Sequence, residues 1–361
     1  MDQALQAPGA DARGQDRQSG PPPCYAALDL GTNNCRLLIA TPTPGGFRVV
    51  EAFSRIVRLG EGLSQSGRLS DEAMERAVAA LKISAEKVKR RQVVRFRAIA
   101  TQACRAAENG AEFVKRVAEE TGVHLQVIPP QEEARLSVTG CLNLLDYGYE
   151  AALVVDVGGG STELSWVDLS SATPGQTPPL RAWLSVPIGV VTLAEQFPEA
   201  ETPSAGWFRD MVEMMKTQIS AFQRADPMRP IFAARRAHLV GTSGAITSLA
   251  GMHLNLPRYD RNRVDGIWMT RKQCEAATDR LLAVSAVQRA NEPCIGPDRA
   301  DLVLAGAAIL QAVQELWPCD HVRVADRGLR EGILLSLMHD RKPRRRRRRR
   351  GGTPSPPPAA A

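Results

Sequence analysis

The chain has 361 residues, of which 43% are hydrophobic and 24% are charged, and these fractions are typical of a globular protein with room for two domains. No apolar run approaches the ~20 residues that a membrane-spanning helix needs, so an integral membrane protein is excluded. The net charge of +7 is local: residues 341–350 carry nine Lys and Arg, whereas the rest of the chain has 37 Lys and Arg against 39 Asp and Glu.

The two ends of the chain have the composition of disordered segments. Residues 1–23 are polar, lack an apolar segment and end in three prolines, so we expect a disordered leader and not a signal peptide. Residues 341–361 are of low complexity and are predicted to be a disordered Arg-rich tail. The seven cysteines show neither a CxxC pair nor zinc-finger spacing, which predicts reduced thiols and a cytoplasmic location.

Ordered structure is expected to begin at Cys24. Residues 25–40 read as a strand, a tight Gly- and Asn-containing loop and a second strand. Ser70 is a suitable N-cap, and the apolar periodicity behind it predicts an amphipathic helix over residues 71–90. The next predicted elements are a strand at 94–99, a helix at 111–120 and a strand at 124–128. This alternation indicates a mixed α/β domain.

The opening pattern then returns at residues 152–167. Asp29 and Asp156 end the first strand of each copy and lie 127 positions apart. Two copies at this separation predict two lobes that face each other across a cleft, with one domain at 24–140 and the other at 141–340. Residues 168–180 are predicted to be a surface loop.

Three loops have the composition of phosphate-binding turns. Residues 158–160 are all glycine, so backbone N–H groups could converge on an anion, and Ser161 and Thr162 add hydroxyl donors. Residues 31–33 offer similar groups from the first lobe, and a third glycine-hydroxyl loop lies within 238–250. The alternative for any one loop is a plain β-turn. Neither a GxxxxGK[ST] P-loop nor a Rossmann GxGxxG is present.

Several acids accompany these loops. Asp29, Asp156 and Glu163 could position Mg²⁺ between phosphate oxygens, directly or through water, although a turn-capping role is the alternative for the two aspartates. Glu132 and Glu133 follow Pro129-Pro130 at the start of a predicted helix. Acids there usually interact with the helix dipole, and a catalytic base is the second interpretation.

Taken together, these segments resemble the exopolyphosphatase and guanosine pentaphosphate phosphohydrolase (Ppx/GppA) family, within the superfamily of actin, sugar kinases and heat-shock chaperones. The resemblance covers roughly residues 24–338. Its segments are ALDLGTNNCRLLI (27–39), AIATQACRAAENGAEF (98–113), EEARL (132–136), VVDVGGGSTEL (154–164), GTSGAITSLA (241–250), RADLVLAGAAIL (299–310) and VADRGLREGIL (324–334).

The resemblance implies a fold and a set of site residues. The fold would be α/β, with two actin-like (ribonuclease H-like) domains facing a central cleft. Glu133 would be the base that activates water, while Asp156 and Glu163 would help to place water and metal. The implied phosphate-binding residues are Thr32, Asn33, Arg105, Gly158, Gly159 and Ser161. Arg105 also makes independent chemical sense, because a guanidinium binds phosphate through two N–H groups.

The implied activity is Mg²⁺-dependent release of terminal phosphate from inorganic polyphosphate, guanosine pentaphosphate or both, with a link to the stringent response. Long family members continue into a helical extension, whereas only 23 residues follow Met338 here, so a short two-domain form is expected. The oligomeric state is open, and a homodimer is one outcome that the resemblance implies, because family members often dimerise. The alternatives are a nucleoside polyphosphatase acting on ATP or ADP, a non-catalytic nucleotide sensor and an RNA-associated protein. The run Arg344–Arg350 could contact polyphosphate or RNA, although an aromatic content of 5% does not favour an RNA-reading sheet.

Overall fold

The strands of the first lobe form one mixed sheet. The computed structural model describes residues 22–339. The strands of this sheet are β1 Tyr25–Leu30, β2 Asn34–Thr43, β3 Gly46–Ile56, β4 Arg95–Ala100 and β5 Leu125–Val127. Their spatial order is β3-β2-β1-β4-β5, with the first three antiparallel and β4 and β5 parallel to β1.

The second lobe repeats this arrangement. Its strands are β6 Ala151–Val157, β7 Thr162–Asp168, β8 Leu180–Val186, β9 Ala237–Thr242, β10 Trp268–Thr270 and β11 His321–Ala325. The order is β8-β7-β6-β9-β11, with the same strand directions as in the first sheet, and β10 is added antiparallel at the edge. The duplication predicted from the two strand-turn-strand segments is therefore confirmed, and the fold is a pair of actin-like α/β domains.

Helices cover the sheets and connect their strands. The helices up to the end of the first predicted domain are α1 Leu63–Ser66, α2 Asp71–Arg90, α3 Gln102–Ala106, α4 Gly110–Thr121 and α5 Pro130–Gly140. Those that follow are α6 Val190–Gln196, α7 Ala205–Ser220, α8 Arg229–Ala233, α9 Gly244–His253, α10 Arg261–Val264, α11 Arg271–Leu282, α12 Ala286–Arg289, α13 Val303–Leu316 and α14 Leu329–His339. Within residues 22–339, no helix combines the length and apolar character needed to cross a bilayer.

Local sequence signals account for several of these elements. Helix α2 occupies residues 71–90 as predicted, and the Ser70 side chain accepts a hydrogen bond from the Ala73 N–H at 3.2 Å. The surface loop predicted at 168–180 ends where β8 begins at Leu180. None of the seven cysteines is paired in a disulfide, and six of them are buried.

The last described helix, α14, returns to the first sheet. Its side chains Ile333, Leu334 and Leu337 share a buried cluster with Ile99 of β4 and Leu136 of α5. The domain boundary predicted at residue 141 stays a prediction. The structure adds that the residues of α14, assigned to the second domain by that prediction, pack against the first lobe.

Helices α5 and α14 cross at glycines. A Cβ atom at Gly332 would lie 2.0 Å from the Leu136 carbonyl oxygen, and one at Gly140 would lie 1.9 Å from the Gly328 carbonyl oxygen. The two backbones can approach this closely only because neither position carries a side chain. The contact holds α5 against α14 and so fixes the helix that carries Glu133.

Candidate active site

The two lobes enclose a cavity of about 410 Å³ between the turns that follow β1 and β6. It brings together nearly all of the predicted site residues. Those that line it are Asp29, Thr32, Asn33, Glu133, Asp156, Gly158, Gly159, Ser161 and Glu163. Arg105 is not part of the wall, but its guanidinium lies behind Glu133 and contacts it.

The two predicted phosphate loops have matching turns. In the first, the Gly31 N–H donates to the Asn34 carbonyl oxygen at 2.9 Å, and in the second the Gly158 N–H donates to the Ser161 carbonyl oxygen at 2.9 Å. Each turn therefore reverses the chain between two antiparallel strands in the same way. The third loop also reaches the cavity, through residues 242–245 between β9 and α9.

The loops of the two lobes touch each other across the cleft. A Cβ atom at Gly159 would lie 3.0 Å from the Asn33 backbone nitrogen, and one at Gly160 would lie 2.6 Å from the Thr32 hydroxyl oxygen. Side chains at these two positions would push the lobes apart. Glycine is therefore needed here for the close approach of two backbones.

Glu133 lies in the first turn of α5, three residues after Pro130, and is only 6% exposed. Arg105 donates to its carboxylate at 3.2 Å and is itself held by the Ile128 carbonyl oxygen at 2.6 Å. The adjacent Glu132 does not line the cavity. The geometry therefore favours Glu133 over its neighbour as the acid that faces the cleft.

Glu132 has a different partner. Arg97 donates to its carboxylate at 2.6 Å, and both side chains are about one quarter exposed. Such a half-exposed pair stabilises the surface weakly and leaves Glu132 available as a matched control for Glu133.

Burial shifts the acids of the cavity towards their protonated forms. It raises the pKa of Glu133 well above its usual value, and the nearby charge of Glu163 raises it further. Burial also raises the pKa of Glu163 to about 7 and that of Asp156 to about 6. Ser137 donates to Asp156, and Ser185 donates to Glu163 at 2.8 Å, so both carboxylates are held in place. A buried group of acids such as this one favours a proton or a cation nearby.

The chemistry of these side chains fits a bound cation. The Oδ1 atoms of Asp29 and Asn33 are buried and have no hydrogen-bond partner among the described residues. Within residues 22–339, no three His, Cys, Asp or Glu side chains are grouped so as to hold a metal alone. Mg²⁺ commonly uses one or two carboxylates and fills its shell with water and substrate phosphate, so Asp29, Asp156 and Glu163 remain predicted contacts for it.

Arginines that the sequence did not single out also line the cavity. Arg36 lies opposite Asp29 in the β1–β2 register, and burial together with the charge of Arg330 lowers its pKa. Arg299 lines the same wall from the second lobe. Arg36 follows the first loop on the same face of β2 as Asn34, a pattern that could have identified it. Arg299 and Arg330 lie in the family-like segments 299–310 and 324–334, but nothing local to either residue indicates that both reach this cavity.

Removing Arg105 is expected to move the acidic limb of the pH–rate profile upward. A base must be deprotonated to act, so kcat rises as the pH passes the raised pKa of Glu133. Arg105 favours the charged carboxylate and lowers this pKa. In Arg105→Gln the pKa rises further, and the half-maximal point should move to higher pH, each profile being scaled to its own maximum. Arg97→Gln, which removes hydrogen bonds to Glu132 and Gln126 but none to Glu133, should leave the limb in place. An unshifted limb in Arg105→Gln would contradict this assignment.

Comparisons with known proteins agree with this geometry. A family model described as the Ppx/GppA phosphatase family matches residues 38–341. A Ppx/GppA family member from Aquifex aeolicus is 29% identical, with 88% of this chain and 98% of that one aligned and a TM-score of 0.71. An exopolyphosphatase-like protein is also 29% identical, over 87% and 97% of the two chains, with a TM-score of 0.75. An exopolyphosphatase from Cytophaga hutchinsonii, at 22% identity over 88% and 98% with a TM-score of 0.77, shows the shared fold.

Proposed function

The chain belongs to the Ppx/GppA phosphatase family, and we propose that it hydrolyses the terminal phosphoanhydride of inorganic polyphosphate, of guanosine pentaphosphate or of both. The observation that carries this proposal is the buried carboxylate of Glu133, which faces a cavity lined by two glycine loops. A cytoplasmic location and a homodimer remain part of the proposal.

In the proposed reaction, Glu133 accepts a proton from the water that attacks the terminal phosphorus. Burial raises the pKa of Glu133, and a carboxylate with a raised pKa accepts a proton more readily. The leaving phosphate chain takes the electron pair of the broken P–O bond. Arg105 holds Glu133 in position and supplies positive charge beside the reacting group.

The remaining residues bind and orient the substrate. Thr32, Asn33 and Ser161 would donate to phosphoryl oxygens, and Gly158 and Gly159 would allow backbone N–H groups to approach them. Mg²⁺, when bound beside Asp29, Asp156 or Glu163, would neutralise phosphate charge. The closure of the cleft around these loops would hold the phosphorus in line with the water.

Two other activities compete with this proposal. A nucleoside polyphosphatase would use the same groups on ATP or ADP. A nucleotide sensor would bind without turnover, and the buried acid Glu133 argues against that alternative, because a binding site for polyanions gains nothing from an additional carboxylate. Phosphate release therefore separates an enzyme from a sensor.

The test is a substrate panel with purified protein and Mg²⁺. It comprises polyphosphate of several lengths, guanosine pentaphosphate, ATP and ADP, with Glu133→Gln prepared in parallel to exclude a contaminating phosphatase. We expect phosphate release from polyphosphate or guanosine pentaphosphate by the wild type alone. Binding of these compounds without any release would identify a sensor, and release from ATP or ADP alone would identify a nucleoside polyphosphatase.

The Arg344–Arg350 run lies outside the described residues, and its proposed role is to contact polyphosphate or RNA. Truncation after residue 340 should leave kcat on short substrates unchanged. It should raise the apparent KM for long polyphosphate or weaken RNA binding, mainly at low salt, because each phosphate contact adds a log–log salt slope of about −0.7 for a single strand. Equal binding of both ligands by truncated and full-length protein at low ionic strength would show that the run is inert.

A further inference from the structure

Glu195 joins the two lobes at the rim of the cleft. It lies in the last turn of α6, in the second lobe, and both of its carboxylate oxygens are used by the first lobe. One accepts from the Gly62 N–H at 2.9 Å, and the other accepts from the Ser64 hydroxyl at 2.6 Å. The Gly62 N–H has no other acceptor among the described residues, and α1, which begins at Leu63, has no side-chain cap of its own.

The helix that carries Glu195 is attached to the second phosphate loop. At its N-terminus, the Val190 N–H donates to the Gly158 carbonyl oxygen at 3.0 Å and the Val191 N–H donates to the Gly159 carbonyl oxygen at 2.8 Å. Helix α6 has only seven residues, so Glu195 and the glycine loop lie at opposite ends of one short rigid element. A displacement of the loop therefore displaces Glu195.

The segment of the first lobe that contacts Glu195, residues 57–64, is attached in the same way to the first phosphate loop. The Gly60 N–H donates to the Thr32 carbonyl oxygen at 2.9 Å, and the Val57 and Arg58 N–H groups donate to the Asn33 carbonyl oxygen at 2.9 and 3.0 Å. Gly62 follows two residues after Gly60. Backbone hydrogen bonds therefore connect the first loop to the segment that bears Gly62 and Ser64. They also connect the second loop to the helix that bears Glu195.

We infer that Glu195 is a positioning residue, which holds the two phosphate loops at the separation at which both contact one phosphoryl group. This inference rests on the proposed function, since it assumes that the loops bind phosphate. Hydrogen bonds to a carboxylate are stronger than neutral ones. The ion pair of Arg58 with Asp301, at 3.0 Å, also joins the lobes, but it is more than one third exposed on both sides and contributes little.

Loss of this contact lowers the population of the closed form. Apparent substrate affinity falls in proportion to the fraction of molecules that are closed, whereas turnover of the closed complex is unchanged. A positioning role therefore predicts a change in KM with little change in kcat. A role limited to folding would instead lower the melting temperature and the active fraction at constant KM.

The test compares Glu195→Ala, Ser64→Ala, the double variant and Gln196→Ala, whose exposed side chain neighbours Glu195 on α6 and makes no hydrogen bond in the described structure. Kinetics use inorganic tripolyphosphate with Mg²⁺, and small-angle scattering measures the radius of gyration with and without this ligand. For Glu195→Ala we expect KM to rise about 5- to 50-fold with kcat within about threefold, because the two lost hydrogen bonds are partly exposed to solvent and this weakens them. Gln196→Ala should match the wild type.

The double variant tests whether Ser64 and Glu195 act together. Its KM should exceed that of Glu195→Ala by less than about twofold, because the second change removes a contact already lost. Glu195→Gln retains an acceptor for the Gly62 N–H and should give an intermediate KM. Scattering of the ligand-free Glu195→Ala protein should show a larger radius of gyration, which decreases when tripolyphosphate is added.

Wild-type KM and wild-type scattering in Glu195→Ala would overturn the inference, as would a lowered kcat at unchanged KM. If Glu195→Ala does not fold, Ser64→Ala, which removes only an exposed hydroxyl, must by itself raise KM for the inference to stand. Failure of the proposed function looks different. The wild type would then release no phosphate from any compound in the panel, while the scattering comparison would still report whether Glu195 holds the lobes together.

Discussion

Replacing Glu133 with glutamine is expected to lower kcat by about 10²- to 10⁴-fold, the usual contribution of a positioned general base, while KM changes little. The amide has the shape of the carboxylate and can still present its oxygen to Arg105, which donates to Glu133 at 3.2 Å. It cannot accept a proton from water. The measurement is steady-state phosphate release, together with equilibrium binding of the same substrate to both proteins.

Glu132→Gln is the matched control for this experiment. It changes the same functional group one residue away, at a side chain that contacts Arg97 and does not line the cavity. We expect its kcat to stay within about threefold of the wild type, since the loss of a half-exposed ion pair has a small effect. Near-wild-type kcat in Glu133→Gln would show that another group, such as a metal-bound hydroxide, activates the water.

Replacing Gly159 with valine is expected to raise KM by about 10- to 100-fold, because overpacking of this kind costs ~1–3 kcal/mol and here opposes closure of the cleft. The effect on the free energy of unfolding should be much smaller. A Cβ atom at this position would already lie 3.0 Å from the Asn33 nitrogen and the Thr32 Cβ atom, and the two methyl groups of valine need more space. The clash falls between the lobes and outside their separate cores. It therefore opposes closure of the cleft without disrupting either sheet.

Gly46→Val provides the comparison. Gly46 begins β3, and a Cβ atom there would have no neighbour within 4 Å, so KM should not change. Melting temperatures of both variants establish that they are folded. A soluble, folded Gly159→Val protein with wild-type KM would remove the proposed phosphate role of the glycine loop.

Elements with local signals could be predicted from the sequence. Helix α2 has an N-cap at Ser70 and a continuous apolar face, and both signals lie within its twenty residues and the one before them. The duplicated lobes could be predicted because the strand-turn-strand segment occurs twice. Strand β3 was missed because most of its side chains are exposed or half-buried on both faces, which leaves no clear alternation.

The residues of the candidate site also fall into a group that the sequence predicts and a group that it does not. Asp29, Asp156 and the glycine loops lie at strand ends within recognisable segments, and the structure brings them to one cavity. Arg299 and Arg330 reach that cavity only because the chain returns to it after long excursions. Contacts between residues so far apart in sequence depend on the complete fold, and the short segments that contain these arginines do not by themselves indicate that the two residues meet.

The return of α14 to the first sheet has a consequence for how the protein is made. Ile333, Leu334 and Leu337 complete a cluster with strands β1, β2 and β4, yet the ribosome adds them about 190 residues after α5 ends. At ordinary rates of synthesis this delay is roughly 10–40 s, during which one apolar face of the first sheet has no cover. The lobe that begins folding first is thus completed after the second, and during translation its uncovered face is the expected site of chaperone binding.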